Sequence, residues 1–65
     1  MRILVNGVWR DTAAAELAAT LAELGYAGRI VTTAVNGEFV AAEARVHTAL
    51  AEGDRVEVLA PMQGG

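Results

Sequence analysis

Two Asn-Gly dipeptides, Asn6-Gly7 and Asn36-Gly37, each lie between short apolar runs, and this repeated turn constrains the fold more than any other feature. A two-residue turn matches the right-handed twist of its flanking strands only when both central residues take positive φ, which asparagine and glycine tolerate. Met1 to Asn6, carrying Ile3, Leu4 and Val5, therefore reads as a strand, and Val8-Trp9-Arg10 as its return. Ile30 to Val35 is a second, β-branched run, and Glu38-Phe39-Val40 returns from it.

Between the two hairpins the period changes. Ala14, Leu17, Ala18, Leu21 and Leu24 recur at three- and four-residue spacing and make one apolar stripe, with Glu16, Thr20 and Glu23 on the other side. Asp11 or Thr12 can cap such a helix, and Gly25 stands where a C-terminal glycine belongs. The pattern predicts a helix of about three turns. Ala41 to Glu52 has weak periodicity and reads as irregular chain with a helical turn. Gly53-Asp54 turns into a last strand, in which Val56, Val58 and Ala60 share one face and Arg55, Glu57 and Leu59 the other. Pro61 ends it, having no N–H for a ladder bond.

The predicted order is β-β-α-β-β-β. One helix covers one face of a sheet, so the fold class is α+β in two layers, a mixed four- to five-stranded sheet on one main helix. Strand order does not follow from the pattern alone. Connection rules permit the first and last strands to lie parallel at the centre, with the helix crossing over, which is the β-grasp or ubiquitin-like arrangement. The expected boundaries are a domain over 1–60 and a flexible C-terminal tail over 61–65.

Composition narrows the function classes. At 65 residues the chain makes one small domain with a small core, which disfavours a deep substrate pocket and hence an enzyme. Hydrophobic residues are 54% and net charge is −3, a globular balance. Arg2, Arg10, Arg29, Arg45 and Arg55 supply all the positive charge and are scattered singly, so no nucleic-acid partner is expected. Apolar runs fall far short of a membrane span, and Met1-Arg2 leads straight into strand-like sequence without a secretory pattern, so a cytoplasmic location is expected. Cysteine and lysine are both absent. That removes thiolate nucleophiles, thiolate metal sites and Schiff-base chemistry, and links between copies through a lysine side chain.

The remaining chemistry sits at the end, Met62-Gln63-Gly64-Gly65. Five residues from Pro61 onward reach at most roughly 16–18 Å when extended. Without Cβ atoms, Gly64 and Gly65 can enter a channel too narrow for other residues and deliver the Gly65 carboxylate into a partner's active site. A carboxylate is a poor acyl donor until ATP converts it to an acyl-adenylate, from which a sulfur nucleophile displaces AMP. The product is a thiocarboxylate, reactive sulfur held by a chain with no cysteine. Two terminal glycines arise by chance in roughly one chain in 200, so this reading depends on the domain that precedes them.

Four segments in order, Ile3-Leu4-Val5-Asn6-Gly7, Ala34-Val35-Asn36-Gly37-Glu38-Phe39-Val40, Leu50-Ala51-Glu52-Gly53-Asp54-Arg55-Val56-Glu57 and Ala60-Pro61-Met62-Gln63-Gly64-Gly65, resemble the ThiS family, the sulfur carriers of thiamine thiazole biosynthesis. Family members often carry Pro-Arg where Ala41-Ala42-Glu43 stands here. The resemblance implies a β-grasp carrier rather than an enzyme, binding no cofactor of its own. It implies a ThiF-like partner that uses ATP and magnesium to adenylate Gly65, sulfur drawn from cysteine through a cysteine desulfurase or related relay, and donation to a ThiG-like thiazole synthase.

Beside Gly65, the expected partner-binding residues are Gly64, Gln63, Met62, Leu59 and Phe39. Met62 suits an apolar partner groove because a thioether adapts its shape. Leu59 is an exposed anchor for a partner if the helix covers the Val56 face, with Phe39 as a second anchor. Trp9 is expected as a partly buried packing residue, His47 as structural or exposed, and Asp54 as a turn residue; no metal ligand set is expected. The alternatives are a molybdopterin-type sulfur carrier, a carrier for another thiolation pathway, a ubiquitin-like modifier joined through Gly65, and a binding module with an inert tail.

Overall fold

The computed structural model describes residues 1–61. The first hairpin joins β1 (Arg2–Val5) to β2 (Val8–Asp11), and the second joins β3 (Thr32–Val35) to β4 (Glu38–Val40). Both turns have the conformation that Asn-Gly favours: φ is +49° at Asn6 and +83° at Gly7, +51° at Asn36 and +85° at Gly37. Val5 then faces Val8, and Val35 faces Glu38.

Helix α1 spans Leu17–Glu23, seven residues or about two turns, shorter than the expected three. Its cap is Glu16, whose carboxylate accepts from the Ala19 N–H, rather than Asp11 or Thr12. The reason is long-range. Leu50 N–H donates to the Ala15 carbonyl (3.0 Å) and Leu17 N–H to the Thr48 carbonyl (2.8 Å), so this backbone is held as a short bridge and cannot wind. Thr12 instead closes a local turn, its hydroxyl accepting from Ala14 N–H at 3.1 Å. Ala14 therefore lies outside the helix. The C-terminus follows expectation: Gly25 has φ +96°, its N–H reaches the Ala22 carbonyl, and Tyr26 N–H reaches that of Leu21 at 2.8 Å.

Thr20, expected on the polar side of the helix, is fully buried, with its hydroxyl donating to the Glu16 carbonyl at 2.9 Å. Ile30 precedes β3 and is exposed; that strand begins only at Thr32. The irregular stretch forms a six-residue 3₁₀ helix, Ala42–His47, before β5 (Arg55–Leu59).

The sheet has five strands in the order β2-β1-β5-β3-β4. β1 and β5 are adjacent and parallel, and β5 lies at the centre, paired antiparallel with β3 on its other side. First and last strands thus share the middle with the helix crossing between them, the β-grasp topology. Ile3, Val5, Val56 and Val58 pack with Leu17, Leu21 and Leu50 beneath the helix. Thr33 is buried among them; its hydroxyl donates to the Val40 carbonyl (2.8 Å) and accepts from Arg45 Nε (3.0 Å). Arg45 also donates to the Val31 carbonyl, tying the 3₁₀ helix to the approach of β3. Among the described residues no helix is long and apolar enough to cross a membrane.

Candidate functional site

Strand alternation divides β5 between two environments. Val56 and Val58 enter the core, while Arg55, Glu57 and Leu59 point to the uncovered side of the sheet. Register then assigns that side's neighbours. Ala34 lies opposite both Glu57 and Phe39, Thr32 opposite Leu59, and Leu4 opposite both Arg55 and Trp9. The open face thus carries a discontinuous apolar surface of Trp9, Leu4, Leu59 and Phe39, with Arg55 and Glu57 set into it.

Two of the expected partner-binding residues are brought together here. Leu59 is 65% exposed and Phe39 70% exposed, and both border one shallow depression of about 250 Å³ floored by Ala34 and Thr32. A neighbouring depression of about 230 Å³ runs between Leu4, Arg55 and Leu59. Neither reaches the roughly 300–1,000 Å³ of a pocket that engulfs a small molecule. The surface suits contact with a protein side chain. Met62, Gln63, Gly64 and Gly65, on which the rest of the expected site rests, lie outside the described residues.

Trp9 departs from expectation. It is 51% exposed on the open face, where Arg2 lies over its ring at 5.2 Å from the centroid and Asp11 sits 3.9 Å from the Arg2 guanidinium. The signal was present in the hairpin: a two-residue Asn6-Gly7 turn sets Trp9 opposite Leu4, hence on the same face as Leu4 and away from Ile3 and Val5. His47 is exposed at the end of the 3₁₀ helix. Ala60, expected on the Val56 face, follows the end of β5 and is exposed, as is Pro61.

The base of β5 is held by polar contacts. Asp54 accepts from the Asn36 side-chain amide (3.0 Å) and from Ala51 N–H (2.8 Å), and these two bonds hold its carboxyl below the ordinary carboxylate range. Asn36 in turn accepts from Arg55 N–H at 2.9 Å. At the other end of the strand the Asn6 side chain accepts from Val58 N–H (2.8 Å) and donates to the Val58 carbonyl (3.0 Å). Sequence reasoning treated both asparagines as turn residues only; their side-chain contacts depend on strand order, which the local pattern does not contain.

The profile of the ThiS family matches residues 3–65. Among solved structures, a crystal structure of the thiamine biosynthesis protein ThiS from Geobacter metallireducens is 35% identical, with both chains covered in full and a TM-score of 0.82. A solution structure of a thiamine biosynthesis protein from the same organism is also 35% identical, covering 100% of this chain and 88% of the other, with a TM-score of 0.77. No curated protein matches the chain. Fold, family profile and full-length structural likeness agree: the chain belongs to the ThiS family of β-grasp, ubiquitin-like sulfur carriers.

Proposed function

We propose that this chain carries sulfur for thiazole formation in thiamine biosynthesis, as a thiocarboxylate on Gly65. The observation that carries the reading is the placement of β5. It is the central strand, paired on both sides, and the residues that follow its end are Ala60-Pro61-Met62-Gln63-Gly64-Gly65. The family match extends through the same residues.

A ThiF-like enzyme joins the Gly65 carboxylate to the adenylyl group of ATP, using magnesium, and releases pyrophosphate. Sulfur from cysteine, delivered as a persulfide by a desulfurase or related relay, attacks the acyl carbon and expels AMP. A thiol such as excess cysteine then reduces the resulting acyl disulfide to the free thiocarboxylate. The thiocarboxylate then gives its sulfur to a ThiG-like thiazole synthase. In this scheme the chain is a co-substrate and not a catalyst, binds no cofactor itself, and works in the cytoplasm. Leu59 and Phe39 are the docking contacts on the open face, and Met62, Gln63 and Gly64 are the residues that enter the partner's channel.

The test is the intact mass of the protein after incubation with a ThiF-like enzyme, ATP, magnesium, a cysteine desulfurase and cysteine. The expected result is one oxygen replaced by sulfur, absent when Gly65 is deleted. An unchanged mass, with the enzyme active on a known carrier, would instead favour a modifier joined through Gly65 or an inert binding module.

A further inference from the structure

The β1–β5 ladder ends in an unusual way. Leu4 N–H donates to the Asp54 carbonyl and Asn6 N–H to the Val56 carbonyl, at 2.9 and 3.0 Å. In a regular parallel pair the next two bonds would join Val58 N–H to the Asn6 carbonyl and Val58 C=O to an N–H two residues beyond Asn6. Neither forms that way, because the chain leaves the ladder at Asn6-Gly7 to make the hairpin. The Asn6 carboxamide supplies the missing partners: its oxygen takes the Val58 N–H at 2.8 Å and its nitrogen serves the Val58 carbonyl at 3.0 Å. One side chain stands in for two backbone groups.

Its position gives this substitution a consequence. Val58 is the last residue of β5 whose backbone faces β1; beyond it, among the described residues, only the pairing of Leu59 with Thr32 ties the strand to the sheet before Pro61. Without Asn6, β5 would be anchored at its end on the β3 side alone, free to swing about that edge. We infer that Asn6 is a positioning residue for acyl transfer at the C-terminus, its side chain fixing the direction in which the chain leaves β5 toward a partner's active site. This rests on the carrier reading above and adds to it a residue that holds the end of β5 from which the terminus is presented.

The turn and the clamp can be separated. Asn6→Gly keeps the positive φ that the turn requires and removes only the carboxamide. Asn36→Gly is the matched control: it makes the same change in the other hairpin and removes contacts to Arg55 N–H and Asp54, at the opposite end of β5. Two readouts on the full chain decide the matter. By NMR amide exchange, Asn6→Gly should speed exchange at Val58 by about tenfold or more relative to Val56, and Asn36→Gly should not.

In adenylation by a ThiF-like enzyme, followed by pyrophosphate release, Asn6→Gly should lower kcat about three- to tenfold at unchanged KM, because docking survives while delivery loses its aim. Asn36→Gly should retain kcat. Equal losses in the two variants, a change in KM alone, or full kcat in Asn6→Gly despite faster exchange at Val58 would each overturn the role. A wild-type chain that is not adenylated, by an enzyme active on a known carrier, would instead defeat the carrier reading and this role with it.

Discussion

On the covered face of the sheet, Ile3, Val5, Val56 and Val58 are sealed beneath Leu17 and Leu21; Leu4 and Leu59, one residue along the same strands, and Trp9 on the neighbouring β2 face the other way, with Trp9 and Leu59 open to solvent. The residue types overlap, and only the pleat separates them. Adjacent residues of β5 consequently answer to different demands. Val58 is fixed by what the domain needs in order to fold, whereas Leu59 is left to solvent and to the docking role proposed for it. If this division holds, substitutions on one face change stability and leave partner recognition alone, and substitutions on the other do the reverse.

The largest expected effect is on the covered face. Ile3→Ala removes a fully buried side chain and should cost about 2–5 kcal/mol, most of what a domain this small has to lose. Thermal unfolding should show the midpoint falling by about 4–8 °C for each kcal/mol. A midpoint within a degree of wild type would mean that the helix side is not the core. Next comes Leu59→Asp, which should shift stability by no more than about 0.5 kcal/mol. Its affinity for a ThiF-like partner, measured by titration calorimetry, should weaken by about 2 kcal/mol, or roughly thirtyfold. Unchanged affinity would remove the open face from the docking surface and break the comparison at its functional end.

Thr33 sharpens the comparison, because it is fully buried on the covered face yet polar. Its hydroxyl serves the Val40 carbonyl and Arg45 Nε together, so Thr33→Val keeps the shape and removes both bonds. Denaturant unfolding should report a loss of about 1–2 kcal/mol. A gain in stability would mean that the covered face works by hydrophobic burial alone.

How much of this could be read beforehand depended on range. The two hairpins were legible because Asn-Gly fixes turn type and register within four residues, and the exposure of Leu59 followed from alternation along β5 once a single helix was inferred. The helix start was not legible. Asp11 and Thr12 have the chemistry of a cap, but the backbone of Ala15 and Leu17 is claimed by Leu50 and Thr48, more than thirty residues away. Thr20 was misplaced for a different, local reason: its hydroxyl is satisfied by the Glu16 carbonyl one turn back, which lets a polar residue be buried. Trp9 was within reach, since the register of the first hairpin already sets it beside Leu4. The Asn6 clamp was not, because it exists only once β1 and β5 are known to be neighbours.

The smallest effect tests whether the two ends of β5 are independent. Asp54, at the base of the strand, is held ionised by the Asn36 amide and Ala51 N–H, so its carboxyl titrates below its value in the unfolded chain. The folded state therefore binds its proton more weakly than the unfolded state does. The stability from this group is fully present above the ordinary aspartate range, near pH 4, and is lost as pH falls below it toward the depressed folded value. Asp54→Asn removes that titration. Urea midpoints should show wild type above the variant at pH 7, with the gap narrowing toward pH 3 and by less than the Thr33→Val difference. A gap that does not change with pH would show that Asp54 acts by shape and not by charge. Partner affinity at pH 7 should be the same for both chains, because the hydrogen bonds of Asp54 go to Asn36 and Ala51 and involve neither Leu59 nor Phe39; a loss there would mean that the base of β5 is felt at its far end, and that the two demands on the strand are coupled along its length.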